Sequence, residues 1–453
     1  MRIETAPETI PKAIQLILDN QDALKQYGIE EPTYTPPGGV AEHYLSMYKW
    51  DSFHTTIVLA EHGYLEKAKT EFNTVYSTMD PVTGFISNMN RFVKRPAWKE
   101  IEWLTFDNSF KSNYSQPAMG AEAAGSIYEA YERSGDPKAG EEFLKENFAK
   151  LDLSYSYWRK YRKYSPADPL VFVIHSNETG RDSCPTFDRF KYRLPRNGVD
   201  TSWIINAINP ALDFSSSINN NRKNMANDWD PEKIRPYFEV KDVMFNCIYH
   251  KNLSEMARIA GVIGNEEKML EYQELADRVE QAIITQMWDP MARGGKGAFY
   301  SVHKGEHIYE DVAANLYPLL LPNLPPKQLK ACLDQILEDY NTPFPIATVA
   351  TTSRNFDPHY KEKGIMWRGP VWQWINRGLR LGLRTQGLRG DIPDYLKALC
   401  ADLADWIEDS SHELVEGSAH ENHDPYTGEG YRTPHFAGAA SGYRLPSGLI
   451  MVS

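Results

Sequence analysis

The feature that most constrains this chain is the spacing of its apolar residues, which recur every three to four positions along successive segments. Ile14, Leu16, Ile17, Ala23 and Leu24 form one stripe over 10–24, where Pro11 suits a first helical turn. Residues 55–78 read as two helices broken near Gly63. The segment 116–133 reads as a helix stopped by Ser134-Gly135-Asp136-Pro137, with 137–164 as its partner. Further pairs are expected at 240–260 with 265–288, 309–321 with 326–340, and 371–383 with 393–410, followed by an apolar segment at 437–452. The chain is therefore expected to be all-α, a toroid of about twelve helices in antiparallel pairs. The pairs share no sequence repeat, and their unit length is too irregular for a solenoid. No Pro/Ser/Gly-rich linker divides the chain, so 1–453 is expected to form a single domain.

The connections at 80–115, 176–238, 341–370 and 411–436 are long and rich in Trp, Tyr, Asn, Asp and Gly. Aromatic-rich loops are poor candidates for disorder, so they read as walls of a site. A formal charge of −12 argues against a nucleic-acid partner and suits a neutral substrate. Cys184, Cys247, Cys332 and Cys400 are widely spaced with no C-x-x-C pair, which predicts reduced, buried thiols. The N-terminus lacks a secretory pattern and no apolar run approaches the roughly 20 residues a membrane helix needs. The expectation is a cytoplasmic chain with no membrane partner. Its oligomeric state is not legible.

Two loops concentrate acids. Residues 176–188 hold Glu178, Asp182 and Asp188 with Arg181, and residues 412–430 hold Glu413, Glu416, Glu421, Asp424 and Glu429. Facing one another across the mouth of a helical toroid, they would supply the two carboxyl groups that glycoside hydrolysis needs. Acids in loops are most often solvated or capping groups, but Trp50, Trp98, Trp103, Trp367, Trp372 and Trp374 lie in or beside the same loops. A sugar offers an apolar C–H face and a polar rim, which aromatic faces beside carboxylates can receive. His420-Glu421-Asn422-His423 lacks the spacing of a zinc-binding helix, and no metal or other cofactor is expected.

These segments carry a resemblance. Pro37-Gly38-Gly39, followed by Glu42 and by Trp50-Asp51-Ser52-Phe53, resembles the trehalase pattern Pro-Gly-Gly, Glu, Trp-Asp-Ser-Tyr. Residues 178–188, Glu-Thr-Gly-Arg-Asp-Ser-Cys-Pro-Thr-Phe-Asp, resemble the Glu-Ser-Gly-x-Asp-Asn-Ser-Pro-Arg-Trp-Asp segment of glycoside hydrolase family 63. Ser-Gln-Pro-Ala (115–118), Trp-Arg-Gly-Pro-Val-Trp-Gln-Trp-Ile-Asn (367–376) and Glu-Asn-His-Asp-Pro-Tyr-Thr-Gly-Glu-Gly (421–430) are similar to that family's motifs, in the family's order. The compact length is most similar to the mannosylglycerate and glucosylglycerate hydrolases. The resemblance implies an (α/α)6 barrel that hydrolyses an α-linked hexoside with inversion and without cofactor.

By that resemblance Asp182 is the general acid and Glu421 the general base, with Tyr44, Trp50, Asp51, Gln116, Arg368, Gly369 and Trp372 as the sugar subsite. Tyr48, Phe53 and Tyr426 are softer candidates. Arg181 is expected to point away from Asp182 or to pair with Glu178, because a close cation would hinder a proton donor. The family's Asn-Ser-Pro-Arg-Trp-Asp is here Ser183-Cys184-Pro185-Thr186-Phe187-Asp188, which leaves the aglycone open, and none of Arg189, Arg193, Arg222 or Arg235 can be assigned to a carboxylate on it. Alternatives are a disaccharide α-glucosidase of trehalose or α-1,2-glucobiose type, and a sugar epimerase or isomerase on the same toroid, with His175, His250 or His420 at its centre. The stretch 213–238 reads as a lid or as a solvated loop.

Overall fold

The computed structural model describes residues 10–93, 112, 114–163, 165, 167–190, 238–359 and 367–444. Among them are ten α-helices of at least twelve residues: α1 (Lys12–Ala23), α2 (Lys49–Glu61), α3 (Leu65–Ser77), α4 (Gly120–Arg133), α5 (Pro137–Tyr161), α6 (Val243–Val262), α7 (Glu266–Gln286), α8 (Pro326–Asp339), α9 (Gln373–Gly387) and α10 (Asp394–Gly417). Two 3-10 helices, Ala313–Leu320 and Ala437–Gly442, complete the set.

The packing closes a ring. α2 packs on α4, α4 on α6, α6 on the 313–320 helix, that helix on α9, α9 on the 437–442 helix, and the last returns to α2. Outside this inner ring, α3, α5, α7, α8, α10 and α1 back their neighbours. Six inner and six outer members make an (α/α)6 barrel. The seam is sealed between the chain's two ends: α1 packs on the 437–442 helix, Asn20 Nδ2 donates to the His435 carbonyl (2.8 Å), and the Ala437 N–H donates to the Pro37 carbonyl (2.8 Å).

Inner and outer members differ in pattern for a physical reason. Every residue of α2 is buried, so its sequence needs no polar stripe, whereas α3 buries Ala68, Glu71, Phe72, Val75 and Tyr76 at three- to four-residue spacing. That explains where the sequence expectations shift. α2 begins at Lys49 rather than 55, because the Trp50 N–H is capped by Gln116 Oε1 (3.0 Å) from a distant segment and no local cap marks the start. α10 runs on to Gly417, so Glu413 and Glu416 belong to its last turns and not to a loop; Glu416 pairs with Lys12. The expected 309–321 helix is a 3-10 helix over 313–320, with Pro318 removing one N–H from it. All four cysteines are buried and unpaired. Trp98, Trp103, Arg193, Arg222, Arg235 and nearly all of the 213–238 stretch lie outside the described residues.

Candidate active site

The loop after α5 sorts its charges into pairs. Glu178 is fully buried and receives Arg162 through both oxygens (2.8 and 2.9 Å), as well as the N–H groups of Ser115 (3.0 Å) and Ile174 (2.9 Å). A buried carboxylate so satisfied locks residues 174–178 to the 114–116 segment. Gly180 follows at φ +71, and a Cβ there would stand 2.8 Å from the Trp50 ring. Glycine is required twice over, for the left-handed turn and for the approach of the indole. Arg181 turns away to pair with Asp242, the N-cap of α6, and lies over Phe187. It therefore leaves Asp182 as expected, but its partner is not Glu178, which Arg162 has already taken. Asp182 is left at the wall of a cavity.

Opposite stands the start of α2. Lys49 Nζ donates to Ser115 Oγ (2.9 Å) and the Gln116 carbonyl (3.0 Å), and Gln116 holds the Trp50 N–H. Trp50 and Asp51 thus occupy the first turn of a buried helix, with their side chains at the cavity. Burial drives the Asp51 carboxyl well above the usual range, and Glu421, Asp182 and Glu71 push it the same way.

Glu421 comes from a hairpin. Asn422–His423 pairs with Gly430–Tyr431, His423 also bridges to Val371, and the Glu421 N–H donates to the Thr433 carbonyl (2.9 Å). Asp424 anchors the turn by accepting the N–H groups of Tyr426 and Thr427 and the Tyr431 hydroxyl. Burial raises the Glu421 pKa; Asp182 adds to the rise while Arg432 and Thr433 oppose it. Tyr44 OH lies 3.4 Å from Glu421 Oε1.

Between these walls is a cavity of about 200 Å³ lined by three carboxyl groups, Asp51, Asp182 and Glu421, and by a wall of aromatic rings. Trp367 stacks on Trp372 at 4.1 Å, Trp372 leans on Trp374 (5.7 Å), and Trp374 meets Trp50 edge-on (4.9 Å). The Trp367 N–H donates to Ser183 Oγ (3.1 Å), joining this wall to the Asp182 loop. Of the sequence-predicted residues, Tyr44, Trp50, Asp51, Gln116, Asp182, Trp372 and Glu421 all line the cavity, as does Tyr48.

Among the described residues, Arg368 and Gly369 do not. Arg368 pairs with Asp188, and the Gly369 N–H donates to Thr348 Oγ1 (2.9 Å). Phe53 is core and Tyr426 is largely exposed. Asn88, Met89, Tyr114, Asn177 and Phe436 also line the cavity and were not singled out. Only their neighbourhood signalled them, since each sits within or beside an aromatic-rich loop. His175, His250 and His420 are not among the lining residues; His175 stacks behind Tyr114 at 4.7 Å.

Carboxyl groups at an aromatic cavity in a closed (α/α)6 ring are what a glycoside hydrolase needs. The mannosylglycerate hydrolase MGH1-like glycoside hydrolase domain matches residues 44–437, and the chain belongs to that family, within glycoside hydrolase family 63. It is 25% identical to a mannosylglycerate hydrolase of Thermus thermophilus over 69% of this chain and 72% of the relative. It is 26% identical to a mannosylglycerate hydrolase of Selaginella moellendorffii over 85% of this chain and 77% of the relative. The fold matches the crystal structure of a family 63 mannosylglycerate hydrolase from Thermus thermophilus in complex with Tris and D-glycerate, with a TM-score of 0.74 at 21% identity, covering 94% of this chain and 98% of the other.

Proposed function

We propose that this glycoside hydrolase is an inverting, exo-acting α-glycosidase for a small mannoside or glucoside of the mannosylglycerate or glucosylglycerate type. One observation carries the reading: Asp182 and Glu421, from loops far apart in sequence, line the same aromatic cavity. In it, Asp182 protonates the glycosidic oxygen as the bond to the anomeric carbon breaks, and Glu421 takes a proton from the water that attacks the opposite face. Inversion of this kind requires the carboxyls to stand about 6.5–9.5 Å apart, leaving room for that water.

Trp50 and Trp372 offer ring faces to the sugar's C–H groups, Asp51 and Gln116 address its hydroxyls, and Tyr44 closes the subsite beside Glu421. Arg368 and Gly369 serve the subsite by shaping the turn before α9. Hydrolysis by two carboxyl groups requires no cofactor. The reading takes 1–453 as one catalytic domain and the cytoplasm as its compartment. Four buried, unpaired cysteines are in keeping with a reducing environment, and among the described residues no helix is long and apolar enough to cross a membrane. The test is turnover of mannosylglycerate, glucosylglycerate, trehalose and kojibiose by wild type, Asp182→Asn and Glu421→Gln. Loss in both variants supports the assignment, and wild-type turnover in either overturns it.

A further inference from the structure

Glu421 lies in a hostile place for a base. It is 4% exposed, and Asp182 and Asp51 share its cavity. A carboxylate there has to be given both charge balance and a direction, and the hairpin supplies a residue suited to both. The ladder ends at the Asn422–Tyr431 pair, and just beyond it the Glu421 N–H donates to the Thr433 carbonyl, one residue out of register, which brings Arg432 beside Glu421. Arg432 Nε approaches Glu421 Oε2 at 3.4 Å, and its Nη2 donates to the Tyr44 hydroxyl (3.3 Å), which stands at Glu421 Oε1. The approach to Oε2 is an ion-pair contact without a hydrogen bond, so Arg432 acts on that oxygen through its charge, while its hydrogen bond to Tyr44 links the groups beside the two oxygens.

Arg432 has a φ of +63, in the left-handed region. That conformation costs a non-glycine residue about 1–2 kcal/mol and persists where surrounding structure over-determines it. Here the flanking backbone is held by the Glu421–Thr433 hydrogen bond and the Asn422–Tyr431 pair. Thr433 reinforces the same side of Glu421.

We propose that Arg432 is a positioning residue for Glu421, balancing the charge of this carboxylate from the Oε2 side and holding the Tyr44 hydroxyl that lies at Oε1. The inference rests on the reading of Glu421 as the general base. The groups facing that carboxylate are Arg432, Tyr44 and Thr433 on its own side and Asp182 and Asp51 across the cavity, so removal of Arg432 leaves the two acids and burial acting against ionisation. The acidic limb of the kcat/KM profile then moves to higher pH.

The experiment compares wild type, Arg432→Gln and Arg432→Lys in two readouts: kcat/KM against pH on the substrate that wild type turns over, and titration of the Glu421 carboxyl by carbon-13 NMR, its signal assigned by its loss in Glu421→Gln. The expected result is an upward shift of about 0.5 pH unit in Arg432→Gln in both readouts, the size a one-third-exposed ion pair supports, with activity recovering as pH rises and Arg432→Lys lying between. A uniform loss of rate with the limb and the carboxyl titration unmoved would assign Arg432 a merely structural part and overturn the proposal, as would an unchanged profile. The titration needs no substrate, so absence of glycoside turnover by wild type would fail the proposed function while the carboxyl titration still decides the hold of Arg432.

Discussion

Asp182 and Glu421 reach one cavity from loops built in different ways. The Asp182 loop is fastened by ion pairs sealed from water, Arg162 with Glu178 and Arg181 with Asp242, and by a glycine turn fitted against Trp50. The Glu421 hairpin is fastened by main-chain pairing to its own return strand and to Val371, and the ion pair at Glu421 involves an arginine that is one-third exposed. Buried pairs punish the loss of either partner heavily, whereas half-solvated pairs contribute little to stability. The Asp182 side therefore ties the cavity to fold stability, while the Glu421 side allows charge to be tuned at small structural cost.

The largest expected effect breaks the symmetry of the two carboxyls. Asp182→Asn and Glu421→Gln should each lower turnover of a natural glycoside by about 10²–10⁴-fold. Only the Asp182 variant should recover on an aryl glycoside whose leaving group needs no proton, and equal recovery in both would contradict the division of roles. Next, Arg162→Met strips the partner from a fully buried Glu178 and should lower stability by about 3–5 kcal/mol in chemical denaturation. Arg432→Gln should stay within about 1 kcal/mol, and a similar loss in the two would erase the contrast.

Gly180→Ala should cost about 1–2 kcal/mol from φ alone, and its Cβ should displace the Trp50 ring, raising KM. A wild-type KM would show that the fit of Gly180 to Trp50 does not shape the subsite. The smallest effect is in pH. The Glu421 pKa is raised, so its active, ionised form appears only above the ordinary value of 4.5, and the acidic limb of kcat/KM should lie above that pH. A limb at or below it would contradict burial as the dominant influence.

Much of this was legible in the sequence, for reasons that particular residues make plain. Outer helices such as α3 announce themselves because solvent on one side enforces a polar stripe. The start of α2 does not, because Gln116 caps it from another segment, yet the Trp50-Asp51 motif within it was readable as a motif. The two carboxyls and most of the aromatic wall were legible through the resemblance of their segments to a family's motifs, with acid-rich and Trp-rich loops agreeing beside it. Their supports were not: Asp242 lies far along the chain from Arg181, and Arg432 meets Glu421 only through the register of a hairpin too short to carry an alternating pattern. Arg368 illustrates the converse. It sits in a strong motif, yet it pairs with Asp188 and is not among the described residues that line the cavity.

The central claim, two carboxyls acting from opposite faces of an α-linked sugar, is tested most directly by following the anomer released. A proton NMR time course of the protein with mannosylglycerate and glucosylglycerate should show the α-anomeric signal of one substrate decay while free β-hexose appears first, with the α anomer growing in later by mutarotation. First appearance of the α-hexose would mean retention, and would contradict the assignment of Glu421 as a base acting through water.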